Sequence, residues 1–146
     1  KEAEKLLDLN SYLGFSFRVV MKKIDRTLSQ QLEPYGVSIP QSFILYSLLE
    51  EDGATLKEIG NKTLIDSSSM TVLVDKLEKD ELVVRKLDSQ DRRAIRVFIT
   101  AKGRDIAEKA SKIGIAFNSR LYDLLGEGNQ KEFTHGINNI INGLEG

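Results

Sequence analysis

The stretch from Ser89 to Val97, SQDRRAIRV, sets Arg92 and Arg93 side by side between two short β-branched runs. A guanidinium stays charged at every physiological pH and presents a rigid fork of donors. That suits phosphate oxygens and the negative potential of a narrow minor groove. A second run precedes it. Asp66–Ser67–Ser68–Ser69–Met70–Thr71 places four hydroxyls directly after a good N-cap residue. Small hydroxyl side chains at a helix N-terminus can donate to phosphates or base edges without blocking close approach. The same serines can equally do no more than start a helix, so alone they leave both readings open.

The chain carries a net charge of −1, which as a total argues against a polyanionic partner. The distribution argues the other way. From Arg85 to Arg104, seven basic residues stand against two acids, Asp88 and Asp91, a local +5 that leaves −6 for the remainder. A protein that meets nucleic acid with one face needs only such a local patch. Arg92 is the candidate for the minor groove. Lys86, Gln90 and Arg96 are candidates for phosphate or groove contacts.

Other chemistries lack their residues. There is no cysteine, which excludes disulfides, thiolate metal sites and thiol redox sensing. The single histidine, His135, cannot build a multi-histidine site, so no metal or cofactor is expected. No phosphate loop or nucleophile elbow is visible, and DSSSM lacks the elbow's flanking glycines, so no enzyme is expected. The opening KEAEKLLDLN mixes both charges without a signal peptide's apolar stretch, and no apolar run could span a bilayer. The expectation is a cytoplasmic protein without a membrane partner.

The elements that must position these residues follow from periodicity. Apolar residues Leu6, Leu9, Leu13, Phe17, Val20, Ile24, Leu28 and Leu32 recur every three or four positions and predict one long helix, ending near Glu33 because of Pro34. Ser38 or Ile39 can cap a second helix with Pro40 in its first turn, and Asp52–Gly53 ends it. Thr55 and Glu58 match a capping box for a short third helix. Asp66 then caps a fourth, whose buried face is Met70, Leu73, Val74 and Leu77. Its opposite face carries Ser68, Thr71, Val72, Asp75, Lys76 and Lys79. Leu82–Leu87 and Ala94–Ile99 read as a hairpin, with Ile95, Val97 and Ile99 on one side. Thr100 caps a long helix from about Lys102 to Leu125, glycines break it, and a last helix carries Phe133, Ile137, Ile140, Ile141 and Leu144.

The order α-α-α-α-β-β-α-α is mainly α: a helix-turn-helix followed directly by a wing. The fourth helix would enter the major groove, with Ser67, Ser68, Ser69, Thr71, Val72 and Lys76 as contacts. Residues 37–100 would form this lobe, with a core of Phe43, Leu48, Ile59, Met70, Leu73, Leu77 and Val97. The stripes on the long helices of 1–36 and 101–146 would then be left uncovered, which predicts a homodimer made by those helices.

At the wing the chain resembles the MarR family of winged helix-turn-helix transcriptional regulators. The residues that carry the likeness are Asp91, Arg93, Val97, Ile99, Thr100 and Gly103, with Ile65–Thr71 resembling the start of the family's recognition helix. The resemblance implies a homodimer on a pseudopalindromic operator in double-stranded DNA, and repression relieved by a small aromatic or anionic effector. Tyr12, Phe15, Arg18, Phe43 and Tyr46 are the candidate effector residues, although ordinary packing would account for each. Because the pattern places an arginine at 93 while Arg92 fills the tip, Arg93 is expected to turn inward and pair with Asp66 or Asp91, stabilising the wing. The alternative to DNA binding is a winged-helix module that docks proteins; such a module should expose apolar residues where this one carries Arg92 and Arg93.

Overall fold

A computed structural model describes residues 8–145, which form two compact units, the first reaching to Ser111 and the second beginning at Lys112. Among the described residues there are six α-helices and one small antiparallel sheet. None of the helices is long and apolar enough to cross a membrane.

The first unit opens with a 3-10 turn, Leu9–Ser11, followed by α1, Leu13–Leu32. The expected helix through Leu6 and Leu9 is thus corrected: Leu6 lies outside the described residues, and Leu9 belongs to the turn. The cause is local. The Asp8 carboxylate accepts from the Asn10 amide (3.0 Å) and the Ser11 hydroxyl donates to the Asp8 carbonyl (2.7 Å), bonds that compete with helix formation. Tyr12 is consequently extended. Pro34 turns the far end of α1 into a second 3-10 turn, closed by Gly36 at φ 71°.

Ser38, not Ile39, caps α2 (Ile39–Glu50). Its hydroxyl accepts from the Gln41 amide (3.3 Å) while Gln41 Oε1 accepts from the Ser38 amide (2.9 Å). The Gln41 side chain also donates to the carbonyl of Leu73 (3.4 Å), tying this cap to a later helix. A two-residue strand unmarked by any sequence pattern, β1 (Ala54–Thr55), comes next. Then α3 (Leu56–Thr63) starts on the expected capping box, with Thr55 and Glu58 exchanging bonds of 2.8 and 3.1 Å. Leu64 stands in the left-handed region at φ 60° and leads into α4 (Ser67–Lys79).

The hairpin strands are β2 (Val83–Leu87) and β3 (Ile95–Ile99), and the sheet order is β1-β3-β2. The register sets Arg85 opposite Val97 and Lys86 opposite Arg96. Ile44, Leu45, Leu48, Ile59, Met70, Val74, Leu77, Val83 and Val97 are the centre of one apolar core. Phe43 does not join it: that side chain is 44% exposed, because the inward face of α2 is already filled by Ile44, Leu45 and Leu48. Leu73 is only partly buried.

The long helix α5 (Ala101–Leu125) begins within this unit, and Ala107 packs in its core. The Thr100-x-x-Gly103 pattern has a direct cause here. The Gly103 amide donates to Thr100 Oγ1 (2.9 Å), whose own proton goes to the Glu81 carbonyl (2.7 Å). A methyl group at 103 would overlap the Leu82 carbonyl oxygen and sit 2.8 Å from Ile99 Cγ1. The unit boundary therefore falls inside α5, past residue 100, because its first turns seal the lobe.

The second unit holds the remainder of α5 and α6 (Gln130–Gly143), separated by Gly126 and Gly128 at φ 91° and 93°. Asn129 Nδ2 donates to the Leu125 carbonyl (3.0 Å) and Gln130 Nε2 to that of Tyr122 (2.9 Å), which fixes the bend.

Candidate nucleic-acid interface

Three donors from two serines at the start of α4 share one acceptor. Asp66 Oδ1 accepts from the Ser69 amide (2.8 Å) and the Ser68 hydroxyl (2.7 Å), and Oδ2 accepts from the Ser69 hydroxyl (3.0 Å). These bonds, the Ser69 amide foremost, lower the Asp66 carboxyl from 3.8 to about 2. They also change the chemistry expected of the hydroxyls. The protons of Ser68 and Ser69 go to Asp66, and that of Thr71 goes to the Ser67 carbonyl (3.1 Å). What these three present outward is lone pairs, which match amino donors such as adenine N6 and cytosine N4. Ser67 alone of the four keeps an uncommitted hydroxyl proton among the described residues.

Ser68, Val72, Asp75 and Lys79 follow one another along the exposed side of α4, opposite buried Met70, Val74 and Leu77. Its charged side chains are mostly held. Lys76 pairs with Asp80 (2.7 Å), and Asp75 with Arg85 (2.7 Å). Arg85 also grips Glu78 through Nε and Nη2 (3.1 and 2.8 Å) while its amide donates to Glu78 Oε2 (3.0 Å). The Arg85 contacts push the Glu78 carboxyl down, and Glu78 in turn pushes the Arg85 guanidinium up. From sequence alone Arg85 counts only as charge. Its position on the inward-facing register of β2, opposite Val97, is the signal that it braces the wing against α4.

On the wing, Gln90, Arg92 and Arg93 are exposed at the tip. Arg93 does not turn inward as expected. Its amide donates to Asp91 Oδ1 (3.0 Å), but its guanidinium has no acidic partner among the described residues. Both candidate acids are engaged locally: Asp66 accepts three bonds from Ser68 and Ser69, and the Asp91 carboxylate takes the Arg93 amide while its carbonyl accepts from the Ala94 amide (3.0 Å). Asp91 and Asp66 are thus both stabilisers, one of the tip and one of the helix start, and Arg93 adds its charge to that of Arg92. Arg96 goes the other way. Expected as a groove contact, it donates to the Gly53 carbonyl (2.8 Å) and pairs with Asp88 (3.3 Å), so it fastens the base of the wing to β1. Lys86 lies 5.3 Å from the Phe98 ring centroid and remains exposed.

Asp52, read from sequence only as a helix terminator, accepts from the Ile99 amide (2.8 Å) and faces Arg104 (3.5 Å). The result is a division of labour. Arg85, Arg96 and Arg104 hold the lobe together, while Lys57, Lys79, Arg92 and Arg93 have no ion-pair partner among the described residues.

The candidate effector residues fall on α1, on α2 and, for Tyr12, just before α1, and none of them is fully buried. Phe43 and Arg18 are exposed and Phe15 is half-buried, as is Tyr46, whose hydroxyl burial pushes upward against a hydrogen bond with Ser42. Two grooves lie elsewhere, on either side of the turn between α3 and α4. One, about 530 Å³, is lined by Leu56, Gly60, Ile65 and Met70 among others, and the second, about 650 Å³, by Pro40, Leu64, Ser68 and Val72 among others.

Comparison with known proteins fits this geometry. The family described as MarR matches residues 37–95. The HTH-type transcriptional regulator SarZ of Staphylococcus epidermidis is 32% identical over 108 residues, covering 71% of this chain and 73% of that protein. In fold, the chain is similar to MepR in the S. aureus MepR–DNA complex (TM-score 0.85, 20% identity, 92% of this chain and 98% of that one). It is likewise similar to the PcaV transcriptional regulator of Streptomyces coelicolor, solved with its natural ligand (TM-score 0.82, 22% identity, 95% and 98%).

Proposed function

The chain belongs to the MarR family, and from that premise we propose how it acts: as a homodimer that represses transcription by gripping a pseudopalindromic operator. It is a DNA-binding transcriptional regulator and not an enzyme. The protein-docking alternative loses its footing at the wing tip, which is polar and cationic.

The observation that carries the reading is the partition of charge. Arg85, Arg96 and Arg104 are consumed in building the lobe, while Arg92 and Arg93 at the wing tip, Lys79 on α4 and Lys57 on α3 keep no ion-pair partner among the described residues. Arg92 and Arg93 suit a narrow minor groove, and the start of α4 suits the major groove beside it. Lys86 and Gln90 are placed to add phosphate contacts. Two such lobes related by a two-fold axis would present recognition helices about 34 Å apart, one turn of duplex.

Uncovered apolar surface supports the dimer. In the first unit, Leu13, Val20 and Met21 are exposed along α1; in the second, Ile115, Leu124, Phe133, Ile141 and Leu144 are exposed. Contiguous faces of this kind call for a partner, and a second copy supplies one. For an effector, PcaV supplies the analogy of a ligand-bound relative, and Tyr12, Phe15, Arg18, Phe43 and Tyr46 are the residues assigned to an aromatic or anionic compound. Benzoate, as the probe, should release bound DNA if that assignment holds.

The test is titration of the purified protein with the DNA flanking its own gene. One duplex segment should bind two chains in a salt-dependent manner. Equal, weak binding to every segment would contradict sequence-specific regulation.

A further inference from the structure

One apolar side chain interrupts the polar line on the outer side of α4. Val72 sits between Ser68 and Asp75 and is 68% exposed, although a β-branched residue gains nothing for a helix by standing in water. Nearby, Leu64 is 90% exposed and held at φ 60°, where glycine or asparagine would fit with less strain. Both line the same groove, together with Pro40, Ile65, Ser68 and Ser69. The charged neighbours of Val72 on α4 are tied elsewhere, Lys76 to Asp80 and Asp75 to Arg85. The groove is therefore an open, mostly apolar notch with the Asp66 carboxylate and the serine hydroxyls among its lining, continuous with the surface assigned to the major groove.

In that groove of B-DNA only one base presents an apolar group: thymine, through its 5-methyl. We propose that Val72 reads a thymine by packing on its 5-methyl group, with Leu64 closing the far side of the notch. Specificity at that base pair then comes from shape and desolvation, and not from a hydrogen bond. The assignment rests on the DNA-binding reading above.

The experiment uses the full-length protein and duplexes selected with it from a random pool. Each thymine of the tightest duplex is replaced singly by deoxyuridine, which removes the methyl and leaves every hydrogen-bonding edge in place. One thymine in each half-site should be sensitive, its replacement weakening binding about fourfold, the effect of burying one methyl group. Val72→Ala alters both half-sites and should weaken binding to the thymine duplex about sixteenfold, with no further loss on uridine. Because Val72 is exposed and alanine favours a helix, the melting temperature of the variant should not fall. Leu64→Asn, suited to the left-handed backbone, should lower affinity without lowering the melting temperature. Tight selected binding that tolerates uridine everywhere, or uridine sensitivity that persists in Val72→Ala, would overturn the assignment while leaving DNA recognition intact. A pool that enriches no sequence would overturn the recognition reading, and the assignment with it.

Discussion

Gly103 shows how much a single position can be decided by its neighbours' backbone. Its N–H meets Thr100, and no Cβ fits beside the Leu82 carbonyl. Gly103→Ala should therefore cost about 2–3 kcal/mol, read as a lower urea midpoint, since a backbone carbonyl cannot rotate away as a side chain would. Asp66 makes a pH-dependent prediction. Its folded value, about 2, lies below the ordinary 3.8, so its contribution is complete above 3.8 and is lost as the pH falls towards 2. Asp66→Asn should flatten that part of the acid limb in a series of melts; an unchanged limb would mean the serine bonds do not form. These roles were only half legible in the sequence. Thr100, Gly103 and Asp91 stood out as a spaced pattern, yet the pattern carried no reason. Arg93 is the exception: an arginine in a signature suggests an ion pair, yet Asp66 and Asp91 serve local backbone and serine donors and the guanidinium stays exposed.

At the scale of elements, caps were the reliable guides, and periods held except before α1, where Asp8 draws Leu9 into a 3-10 turn. Thr55, Asp66 and Thr100 each start a helix where local side-chain chemistry requires it, and the hairpin follows its alternation. Features set by distant partners were invisible. The strand β1 exists because Ala54 and Thr55 pair with Val97 and Arg96, and Asp52 reaches Ile99 across 47 positions of chain. The brace from Arg85 to Asp75 and Glu78 is of the same kind, and it sets the angle between wing and α4. Arg85→Met should lower stability by about 1 kcal/mol, because the pairs are partly exposed. Arg85→Lys should recover little of that, since an ammonium cannot make the same fork. Full recovery by lysine would reduce the brace to charge alone.

For the whole molecule, the central issue is whether two lobes act together on one duplex. Deleting Gln130 to Gly146 removes Phe133, Ile141 and Leu144 and should abolish both dimerisation in sedimentation and operator binding. A folded, monomeric and fully competent truncation would dismiss the dimer. The most direct single measurement is the salt dependence of operator affinity for the wild type and Arg92→Ala. A cation that neutralises one phosphate contributes about 0.9 to the slope of log affinity against log salt, and a dimer carries two wings. Arg92→Ala should bind about 1–3 kcal/mol more weakly per wing, with a slope shallower by about 1.8. The same affinity and the same slope would show that the wing does not touch DNA.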